Sequence, residues 1–101
     1  MTLIRAATPA DRAATVALWQ SCDLTRPWND PDADFDRALG HDAATILLAE
    51  AGRAIVGTIM VGFDGHRGWV YYLGVHPDRR GDGIARDLLD AGCDWLRARG
   101  C

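Results

Sequence analysis

The chain has 101 residues, and this length predicts a single domain over residues 1–101. Hydrophobic residues make up 49% of it and charged residues 25%, proportions that are typical of a globular protein and exclude a disordered one. The formal net charge of −3 argues against broad binding to nucleic acid or to an anionic membrane, so we expect neither as a partner. Arginines within residues 79–86 nevertheless form a local basic patch that suits a small polyanion.

The three cysteines, Cys22, Cys93 and Cys101, are odd in number and lack the spacing of a metal site or a redox motif. We therefore expect reduced thiols, no bound metal and a cytoplasmic location. The amino terminus reaches a charge at Arg5 before any apolar segment long enough for a signal peptide, and no apolar run approaches the length of a membrane span.

The first predicted elements are a strand over residues 2–7 and a helix that begins after Thr8. Pro9 suits the first helical position, where its missing N–H costs nothing, and Thr8 can cap the helix. Trp19 is expected at the edge of this helix and only partly buried. We expect small residues and one leucine on the face that packs on a sheet, namely Ala10, Ala13, Ala14, Ala17 and Leu18.

Residues 23–31 are predicted to form a loop, because Pro27 and Pro31 interrupt any regular helix there. The loop concentrates side chains that could contact a ligand: Arg26, Trp28, Asn29 and Asp30. Substrate contact and a plain solvated loop stay open as alternatives. A short second helix follows over residues 32–39, with two apolar residues on its buried side, Phe35 and Leu39.

Three further strands are predicted at residues 45–50, 54–63 and 69–75, joined by turns into an antiparallel meander. Two glycines inside the middle strand, Gly57 and Gly62, indicate a bulge or a close approach of other backbone. The sheet is therefore expected to be mainly antiparallel.

Regular alternation in the strand at residues 69–75 divides its side chains between two faces. One face is expected to carry Trp69, Tyr71, Leu73 and Val75. The opposite face is expected to carry Val70 and Tyr72. A bulge near Gly74 would reset this pattern.

A glycine-rich turn joins that strand to the last helix and is the most informative stretch of the sequence. Gly81 and Gly83 leave backbone N–H groups open at the positive end of a helix dipole, where an anion is favoured. Three arginines add donors for phosphate oxygens, namely Arg79, Arg80 and Arg86. The turn is neither a Walker loop, since the chain has no lysine, nor a dinucleotide fingerprint, which needs one glycine more.

The last helix is predicted from residue 84 onward, and Gly100 is a suitable residue to end it. Charged side chains occupy its outer side. Its apolar positions recur at helical spacing and form one buried face, namely Ile84, Leu88, Ala91 and Trp95.

The stretch Arg80-Gly81-Asp82-Gly83-Ile84-Ala85 resembles the Arg/Gln-x-x-Gly-x-Gly/Ala signature with which GNAT-superfamily N-acetyltransferases bind the diphosphate of acetyl-CoA. Leu73-Gly74-Val75-His76-Pro77 precedes it as in that family. The chain is also similar to the YpeA-type bacterial acetyltransferases over nearly its whole length, with matching stretches at residues 18–19, 22–24, 26–31, 64–68 and 71–77. The resemblance implies an α/β (α+β) fold of the order β-α-α-β-β-β-α, with a mainly antiparallel sheet flanked by helices.

The resemblance also implies acetyl-CoA as the acyl-donor substrate and an amine as the acceptor, without a metal. It assigns CoA binding to Leu73, Gly74, Val75, Arg80, Gly81, Asp82, Gly83, Ile84, Ala85 and Arg86. Backbone groups of Leu73 and Val75 are implied to bind the pantetheine arm. The loop before the second helix is implied to wall the acceptor site, which makes candidates of Arg26, Trp28 and Asn29.

Three side chains are candidates for the base that takes a proton from the amine, namely His66, Glu50 and Tyr72, and Asp64 is a more distant alternative. Each of the three also has a purely structural interpretation, as an exposed turn histidine, a solvated carboxylate and a core tyrosine. The resemblance places the general acid, often a tyrosine, beyond the last residue. Two alternatives to an N-acetyltransferase are a non-catalytic acyl-CoA-binding or assembly module and a structural domain.

In this family the fold continues with a strand parallel to the one at residues 69–75. We therefore expect that strand to keep an unpaired edge, which favours association because exposed edges pair readily. Either a homodimer covers this edge, or the chain is the first part of a longer enzyme.

Overall fold

The computed structural model describes residues 2–100, which fold into an antiparallel sheet packed between helices. The strands, in their order across the sheet, are β1 (Thr2–Ala6), β2 (Ala44–Ala51), β3 (Ala54–Phe63) and β4 (Gly68–Val75). The helices are α1 (Arg12–Ser21), α2 (Pro31–Leu39) and α3 (Ile84–Ala98). α1 and α2 cover one face of the sheet and α3 covers the other. The predicted order of elements and the predicted fold class are confirmed.

The chain enters α1 through a short 3₁₀ turn, Pro9–Asp11. The Asp11 carboxylate accepts hydrogen bonds from the Thr8 N–H at 2.8 Å and from the Thr8 hydroxyl at 3.1 Å. The Asp11 N–H donates in return to the Thr8 carbonyl at 2.9 Å. The predicted boundary at Thr8 is therefore correct for the turn, whereas the α-helix begins only at Arg12.

Arg5 connects β1 to this turn and to β2. Its guanidinium donates to both carboxylate oxygens of Asp11 at 2.8 and 2.9 Å, and to both oxygens of Glu50 at 3.3 and 3.4 Å. Hydrogen bonds from Arg5, and also from Thr8, hold the pKa of Asp11 well below its usual range. The ionised Asp11 therefore stabilises the fold above the unfolded carboxyl pKa of about 3.9, and this contribution is lost as the pH falls through the lower folded pKa.

Replacing Asp11 with asparagine should lower the free energy of unfolding by about 1–2 kcal/mol near neutral pH, because the amide cannot keep the two-fold ion pair. Denaturant unfolding of both forms near neutral pH and in acid measures this difference, which should shrink in acid. Asp94→Asn is the control, since its pair with Arg97 is solvent-exposed and removal should cost less than about 0.5 kcal/mol. A loss for Asp11→Asn that is equal at both pH values would contradict the ion-pair explanation.

The buried face of α1 differs from the prediction. The side chains buried against the sheet are Thr15, Val16, Leu18 and Trp19. Trp19 is fully buried, and its indole N–H donates to the Thr58 hydroxyl at 3.1 Å. The alanines that we expected on that face are exposed: Ala10, Ala13, Ala14 and Ala17. Because an indole ring removes far more apolar area from water than alanine methyl groups do, Trp19 determines the rotation of the helix.

Two apolar clusters cover the faces of the sheet. The cluster under α3 contains Leu47, Ala49, Val56, Ile59, Val61, Val75, Ile84 and Leu88, with Ala91 and Trp95 packed against it. The cluster under α1 and α2 contains Val16, Trp19, Phe35, Ala38, Ile46, Leu48 and Met60, with Leu39 packed against it. The predicted apolar faces of α2 and α3 are therefore confirmed.

The two glycines of β3 permit close contacts with other elements. A Cβ atom at Gly57 would lie 2.9 Å from a methyl group of Ile84 and 2.8 Å from one of Leu88, and a Cβ atom at Gly62 would overlap the ring of Trp69. α3 and the Trp69 ring can therefore approach the strand only because these positions lack side chains.

Gly57→Ala should reduce the free energy of unfolding by about 1–3 kcal/mol, because the added methyl group has to displace α3 from the sheet. Denaturant unfolding measures the loss. Gly40→Ala is the matched control, since its new Cβ would lie 3.4 Å from the nearest atom, the Asp36 carbonyl oxygen, and should be accommodated. A Gly57→Ala variant as stable as the original chain would show that the contact with α3 is not tight.

Bulges interrupt two of the strand pairings. The register of β2 and β3 shifts between Ala49 and Glu50, and that of β3 and β4 shifts between Thr58 and Met60. At the second bulge Tyr72 has a φ of 53°, in the left-handed region that residues other than glycine seldom occupy. The bulge of β4 therefore lies at Tyr72 and Leu73, immediately before Gly74, where the sequence allowed for one.

This bulge changes which side chains of β4 share a face. Trp69, Tyr71 and Tyr72 lie on the side of α1 and α2, whereas Leu73 and Val75 lie on the side of α3. The prediction that Trp69, Tyr71, Leu73 and Val75 share one face is therefore wrong. The extra residue at the bulge reverses the alternation halfway along the strand.

The end of α3 agrees with the prediction. Gly100 has a φ of 82°, and its N–H donates to the Arg97 carbonyl at 3.0 Å, so it ends the helix. The Arg99 guanidinium lies 3.8 Å above the centre of the Trp95 ring.

The outer edge of β4 is free within residues 2–100, since β4 pairs there with β3 alone. Two apolar side chains of the strand are exposed, namely Val70 and Tyr71. A homodimer, or a further strand, over this edge stays a prediction.

Candidate functional site

A cleft of about 580 Å³ opens where β4 ends and α3 begins. Its walls come from the end of α1 and the loop after it, from the end of β4, and from the turn that precedes α3. We call it the glycine-turn cleft, and it is lined by Cys22, Leu24, Leu73, Gly74, Val75, Arg79, Arg80, Gly81, Gly83, Ile84 and Ala85.

Two glycines give the turn its shape. Gly81 has a φ of 90° and Gly83 a φ of 79°, both in the left-handed region in which other residues are strained. Apart from the flanking residues, no atom of residues 2–100 lies within 4 Å of where a Cβ would stand at either position. The backbone angle, and not crowding within the protein, therefore requires glycine here, and Gly83 is the residue that caps α3.

Several backbone N–H groups at the start of α3 have no hydrogen-bond acceptor within the described residues. Before the turn, the Arg79 N–H donates to the His76 carbonyl at 2.9 Å, and after it the Asp87 N–H donates to the Gly83 carbonyl at 3.1 Å. Among the amides between them, residues 80 and 81 belong to a hydrogen-bonded turn that follows the 3₁₀ turn Pro77–Arg79, whereas the N–H groups of residues 83–86 have no acceptor among residues 2–100. Because these amides also stand at the positive end of the 15-residue helix α3, they form a site suited to an anion.

The three arginines of the turn differ in how they are held. Arg80 donates from Nε to the Val75 carbonyl at 3.2 Å, and Arg79 donates from Nε to the Asp82 carboxylate at 3.2 Å. Arg86 is exposed on α3 and does not line the cleft. Arg79 and Arg80 are therefore oriented towards the cleft through Nε, which leaves the ends of their guanidinium groups for phosphate oxygens.

The edge of β4 turns a backbone donor towards the same cleft. The His76 N–H donates to the Val56 carbonyl of β3 at 2.7 Å, so by strand alternation the N–H of Val75 points away from β3. The Val75 carbonyl likewise points into the cleft, where it accepts from Arg80 Nε and lies 3.4 Å from the Cys22 Sγ. A ligand that runs along this edge would find a free N–H at Val75.

A second cleft, of about 470 Å³, lies on the other face of β4 beside α2. We call it the α2 cleft. It shares Leu24 with the glycine-turn cleft. It is lined by Leu24, Asn29, Asp34, Arg37, Ala38, His41, Ala43, Ala44, Met60, Phe63, Trp69, Tyr71 and Tyr72.

Tyr72 connects the bulge of β4 to α1 and α2. Its ring stacks on Trp19 with the ring centres 3.8 Å apart and the planes 13° from parallel, and its hydroxyl donates to Asp34 Oδ2 at 2.6 Å. Burial first, and the hydrogen bond to Asp34 second, raise the pKa of Tyr72 to about 12. Tyr72 therefore keeps its proton near neutral pH and acts there as a hydrogen-bond donor.

Residues 2–100 lack the features of two other kinds of site, a metal centre and a membrane span. No group of three or more His, Cys, Asp or Glu side chains in that range is arranged to hold a metal ion. No helix described there has the length and apolar character needed to cross a bilayer. Cys22 and Cys93 are free thiols, and the third predicted thiol, Cys101, lies outside the described residues.

Known proteins resemble this chain in sequence. Residues 13–101 match the family model described as acetyltransferase (GNAT) family. The chain belongs to the GNAT family. Among curated relatives of this GNAT chain, acetyltransferase ECA0875 of Pectobacterium atrosepticum is 55% identical over 91 residues, which are 90% of the chain and 64% of the relative. Acetyltransferase YE1169 of Yersinia enterocolitica is 52% identical over 98 residues, which are 97% of the chain and 70% of the relative.

Solved GNAT structures share the fold. AAC(6')-Iy, in complex with the bisubstrate analog CoA-S-monomethyl-acetylneamine, superposes with a TM-score of 0.85 at 20% identity, covering 100% of this chain and 75% of that one. A predicted acetyltransferase from Clostridium acetobutylicum with acetyl-CoA gives a TM-score of 0.81 at 22% identity, covering 99% and 76%. The chain thus spans roughly two-thirds to three-quarters of the length of these relatives.

Two of the predicted base candidates of this GNAT chain lie outside both clefts. Glu50 is paired with Arg5 near the end of β2. His66 lies in the turn between β3 and β4, where its N–H and that of Arg67 donate to Asp64 Oδ1 at 2.9 Å and lower the pKa of Asp64. The structure therefore brings only Tyr72, of the three candidates, to a cleft wall.

The predicted acceptor loop is divided in a similar way. Asn29 lines the α2 cleft, whereas the Arg26 guanidinium folds back on the carbonyls of Asp23 and Thr25 at 2.8 Å. Trp28 is 78% exposed and lines neither cleft. Asp30 caps α2, accepting from the Ala33 N–H at 3.2 Å.

Sequence reasoning missed several cleft residues in this GNAT chain. Asp34, Arg37 and His41 line the α2 cleft, but nothing in the local sequence of α2 separates Asp34 from its neighbouring aspartates. Cys22 and Leu24 line the glycine-turn cleft. Both belong to the stretch 22–24 that carried part of the family resemblance, and that stretch was the available signal.

Proposed function

We propose that this protein is an N-acetyltransferase that moves an acetyl group from acetyl-CoA to a primary amine by direct attack in a ternary complex. The observation that carries the proposal is the row of amides at residues 83–86, which have no acceptor among residues 2–100 and stand at the start of α3 beside a cleft. The relatives named acetyltransferase and the solved neighbours with CoA-derived ligands add support. We propose a cytoplasmic location and a single domain for this unit.

In the proposed complex, the diphosphate of acetyl-CoA binds the amides of residues 80–86 and the guanidinium ends of Arg79 and Arg80. The pantetheine arm then follows the free edge of β4 past Leu73 and Gly74. The Val75 N–H donates to the thioester carbonyl and stabilises the negative charge that develops on its oxygen during attack. The remaining residues of the proposed CoA site, Asp82, Ile84, Ala85 and Arg86, shape the turn and the first turn of α3.

The chemistry is the attack of a neutral amine on the thioester carbon. A C–N bond forms and the C–S bond breaks, so the nitrogen gives up one proton and the departing CoA thiolate takes up one. Tyr72 stays a proposed catalytic residue, because it lines the α2 cleft and is followed by Leu73, which lines the glycine-turn cleft. Glu50 and His66 stay proposed bases, although neither side chain lines a cleft among the described residues.

A second candidate function is a non-catalytic acyl-CoA-binding or assembly module. The specific observation in its favour is that Glu50 and His66 line neither cleft. Such a protein would bind acetyl-CoA without turning it over.

One pair of measurements separates the two functions. Calorimetric titration with acetyl-CoA should give a saturable binding curve for both. Release of free CoA thiol from acetyl-CoA, followed with a panel of primary amines, should rise above the amine-free rate only for the acetyltransferase. Binding without amine-dependent thiol release would favour the binding module, and no binding by the folded protein would remove both proposals.

A further inference from the structure

The α2 cleft has the size and the walls of a small-molecule site. Its volume of about 470 Å³ lies within the range in which proteins bind small organic ligands, roughly 300–1,000 Å³. Most of the wall is apolar, with Ala38, Ala43, Ala44, Met60, Phe63, Trp69 and Tyr71. A ligand held there would therefore bury an apolar body.

Two aromatic rings in the wall of the α2 cleft are in contact with each other, and one of them is exposed. Trp69 and Tyr71 are in contact at an angle, with ring centres 5.3 Å apart and planes at 46°. Tyr71 is 60% exposed, so much of its ring is in contact with solvent within the described structure. Exposed aromatic faces attract both apolar groups and cations.

Asp34 is the one carboxylate among the described residues that line the cleft. Its Oδ2 accepts from the Tyr72 hydroxyl at 2.6 Å and its Oδ1 accepts from Arg37 Nη1 at 3.2 Å. An ionised carboxylate has about four lone-pair positions, so two hydrogen bonds leave acceptor capacity on both oxygens. Asp34 is 23% exposed, which keeps it reachable but partly desolvated, so a cation beside it would interact strongly.

Charge differs between the two clefts. Arg79 and Arg80 line the glycine-turn cleft, and no carboxylate of the described residues is in its lining. The charged side chains that line the α2 cleft are Asp34 and Arg37, which pair with each other. An anionic ligand is therefore favoured in the glycine-turn cleft, and in the α2 cleft a cation is favoured only beside Asp34.

The two clefts meet at β4. Leu24 lines both, and the consecutive residues Tyr72 and Leu73 line the α2 cleft and the glycine-turn cleft respectively. We infer that the α2 cleft binds the acceptor as a protonated amine with an apolar or aromatic body, the ammonium group lying against Asp34 and the body against Trp69 and Tyr71. This inference rests on the proposed function, because it takes the amine to be the group that is acetylated.

The chemistry of the reaction has a consequence for this site. Acetylation converts the ammonium group into a neutral amide: the C–N bond forms, the C–S bond breaks, one proton goes to the CoA thiolate and one to solvent. The product therefore loses its ionic contact with Asp34 while keeping its apolar contacts. We expect the acetylated amine to bind at least about tenfold more weakly than the amine, which favours product release.

Calorimetry of the full chain with four matched probes tests the inference. 2-Phenylethylamine should bind measurably, while 2-phenylethanol, of the same shape without charge, and 3-phenylpropanoate, an anion, should bind at least about tenfold more weakly. Butylamine, which keeps the charge but lacks the ring, should also bind more weakly than 2-phenylethylamine. Equal binding of the amine and the alcohol would overturn the role of charge, and no binding of the aromatic amine would overturn the site.

Two variants of α2 locate the charge. Asp34→Asn should reduce the affinity for 2-phenylethylamine at least about tenfold and leave that for 2-phenylethanol and acetyl-CoA unchanged. Asp36→Asn removes the same charge from the same helix at a residue that pairs with Arg12 and does not line the cleft, so it should change binding less than twofold. An equal loss in both variants would overturn the assignment to Asp34.

The outcomes separate this inference from the proposed function. Saturable acetyl-CoA binding and amine-dependent thiol release without any preference for the aromatic amine would contradict the inference alone. Selective binding of the aromatic amine without acetyl-CoA binding would contradict the proposed function and leave the cleft as a cation site. If Asp34→Asn does not fold, the comparison of amine with alcohol on the unaltered chain still decides the question.

Discussion

Replacing Gly83 with valine should weaken acetyl-CoA binding at least about tenfold, because a β-branched residue cannot hold the φ of 79° without strain. The turn would relax to another conformation and its N–H groups would no longer converge on one point. Calorimetric titration of both forms with acetyl-CoA measures the loss. Unchanged secondary structure by circular dichroism would show that the effect is local to the turn.

Gly52→Val is the matched control for this variant. Gly52 also has a positive φ, of 62°, and, its neighbours in the chain aside, the described structure has no atom within 4 Å of where its Cβ would stand, but it lies in the turn between β2 and β3. The control should lose a similar amount of stability and keep its affinity for acetyl-CoA within about twofold. If both variants lost affinity equally, or if Gly83→Val kept it, the glycine turn would not be the CoA site.

Trp19→Ala should lower the free energy of unfolding by about 3–5 kcal/mol. Trp19 is fully buried, stacks on Tyr72 and donates to the Thr58 hydroxyl, so its removal leaves a cavity and an unpaired buried hydroxyl. Since small domains have about 5–15 kcal/mol of stability in total, much of the chain should unfold at moderate denaturant concentration. Denaturant unfolding followed by circular dichroism measures the loss.

Two other variants serve as comparisons for the loss of stability in Trp19→Ala. Trp28→Ala removes a tryptophan that is 78% exposed and should change stability by less than about 0.5 kcal/mol. Trp19→Phe keeps an aromatic ring on Tyr72 but loses the indole N–H, and should fall between the two. A cost for Trp19→Ala as small as that for Trp28→Ala would contradict the observed packing of α1 on the sheet.

The fold could be predicted well where the pattern is local. The apolar face of α3 is fixed by its own period, with Ile84 and Leu88 one turn apart and both buried. The face of α1 could not be predicted by counting small residues, because the outcome depends on how Trp19 fits against β3 and Thr58. The face on which each β4 side chain lies depends on a bulge at Tyr72. A single inserted residue moves every later side chain of a strand to the opposite face of the sheet.

The candidate site shows the same division. The glycine turn could be predicted because Gly81, Gly83 and the arginines are neighbours in sequence, and their chemistry is local. The α2 cleft could not, because its central contact joins Asp34 to Tyr72, 38 residues apart in the chain. The sequence predicts that Tyr72 is a core residue or a base. Its left-handed backbone conformation and the hydrogen bond from its hydroxyl to the Asp34 carboxylate are visible only in the structure.

Amide nuclear magnetic resonance tests the binding of coenzyme A at the start of α3 most directly. Titration of the ¹⁵N-labelled protein with CoA should shift the N–H signals of residues 80–86 and of Val75, with one common saturation curve. Acetyl-pantetheine, which lacks the diphosphate, should shift Val75 and leave residues 80–86 largely unmoved. Saturable CoA binding that leaves the signals of residues 80–86 in place would contradict the account.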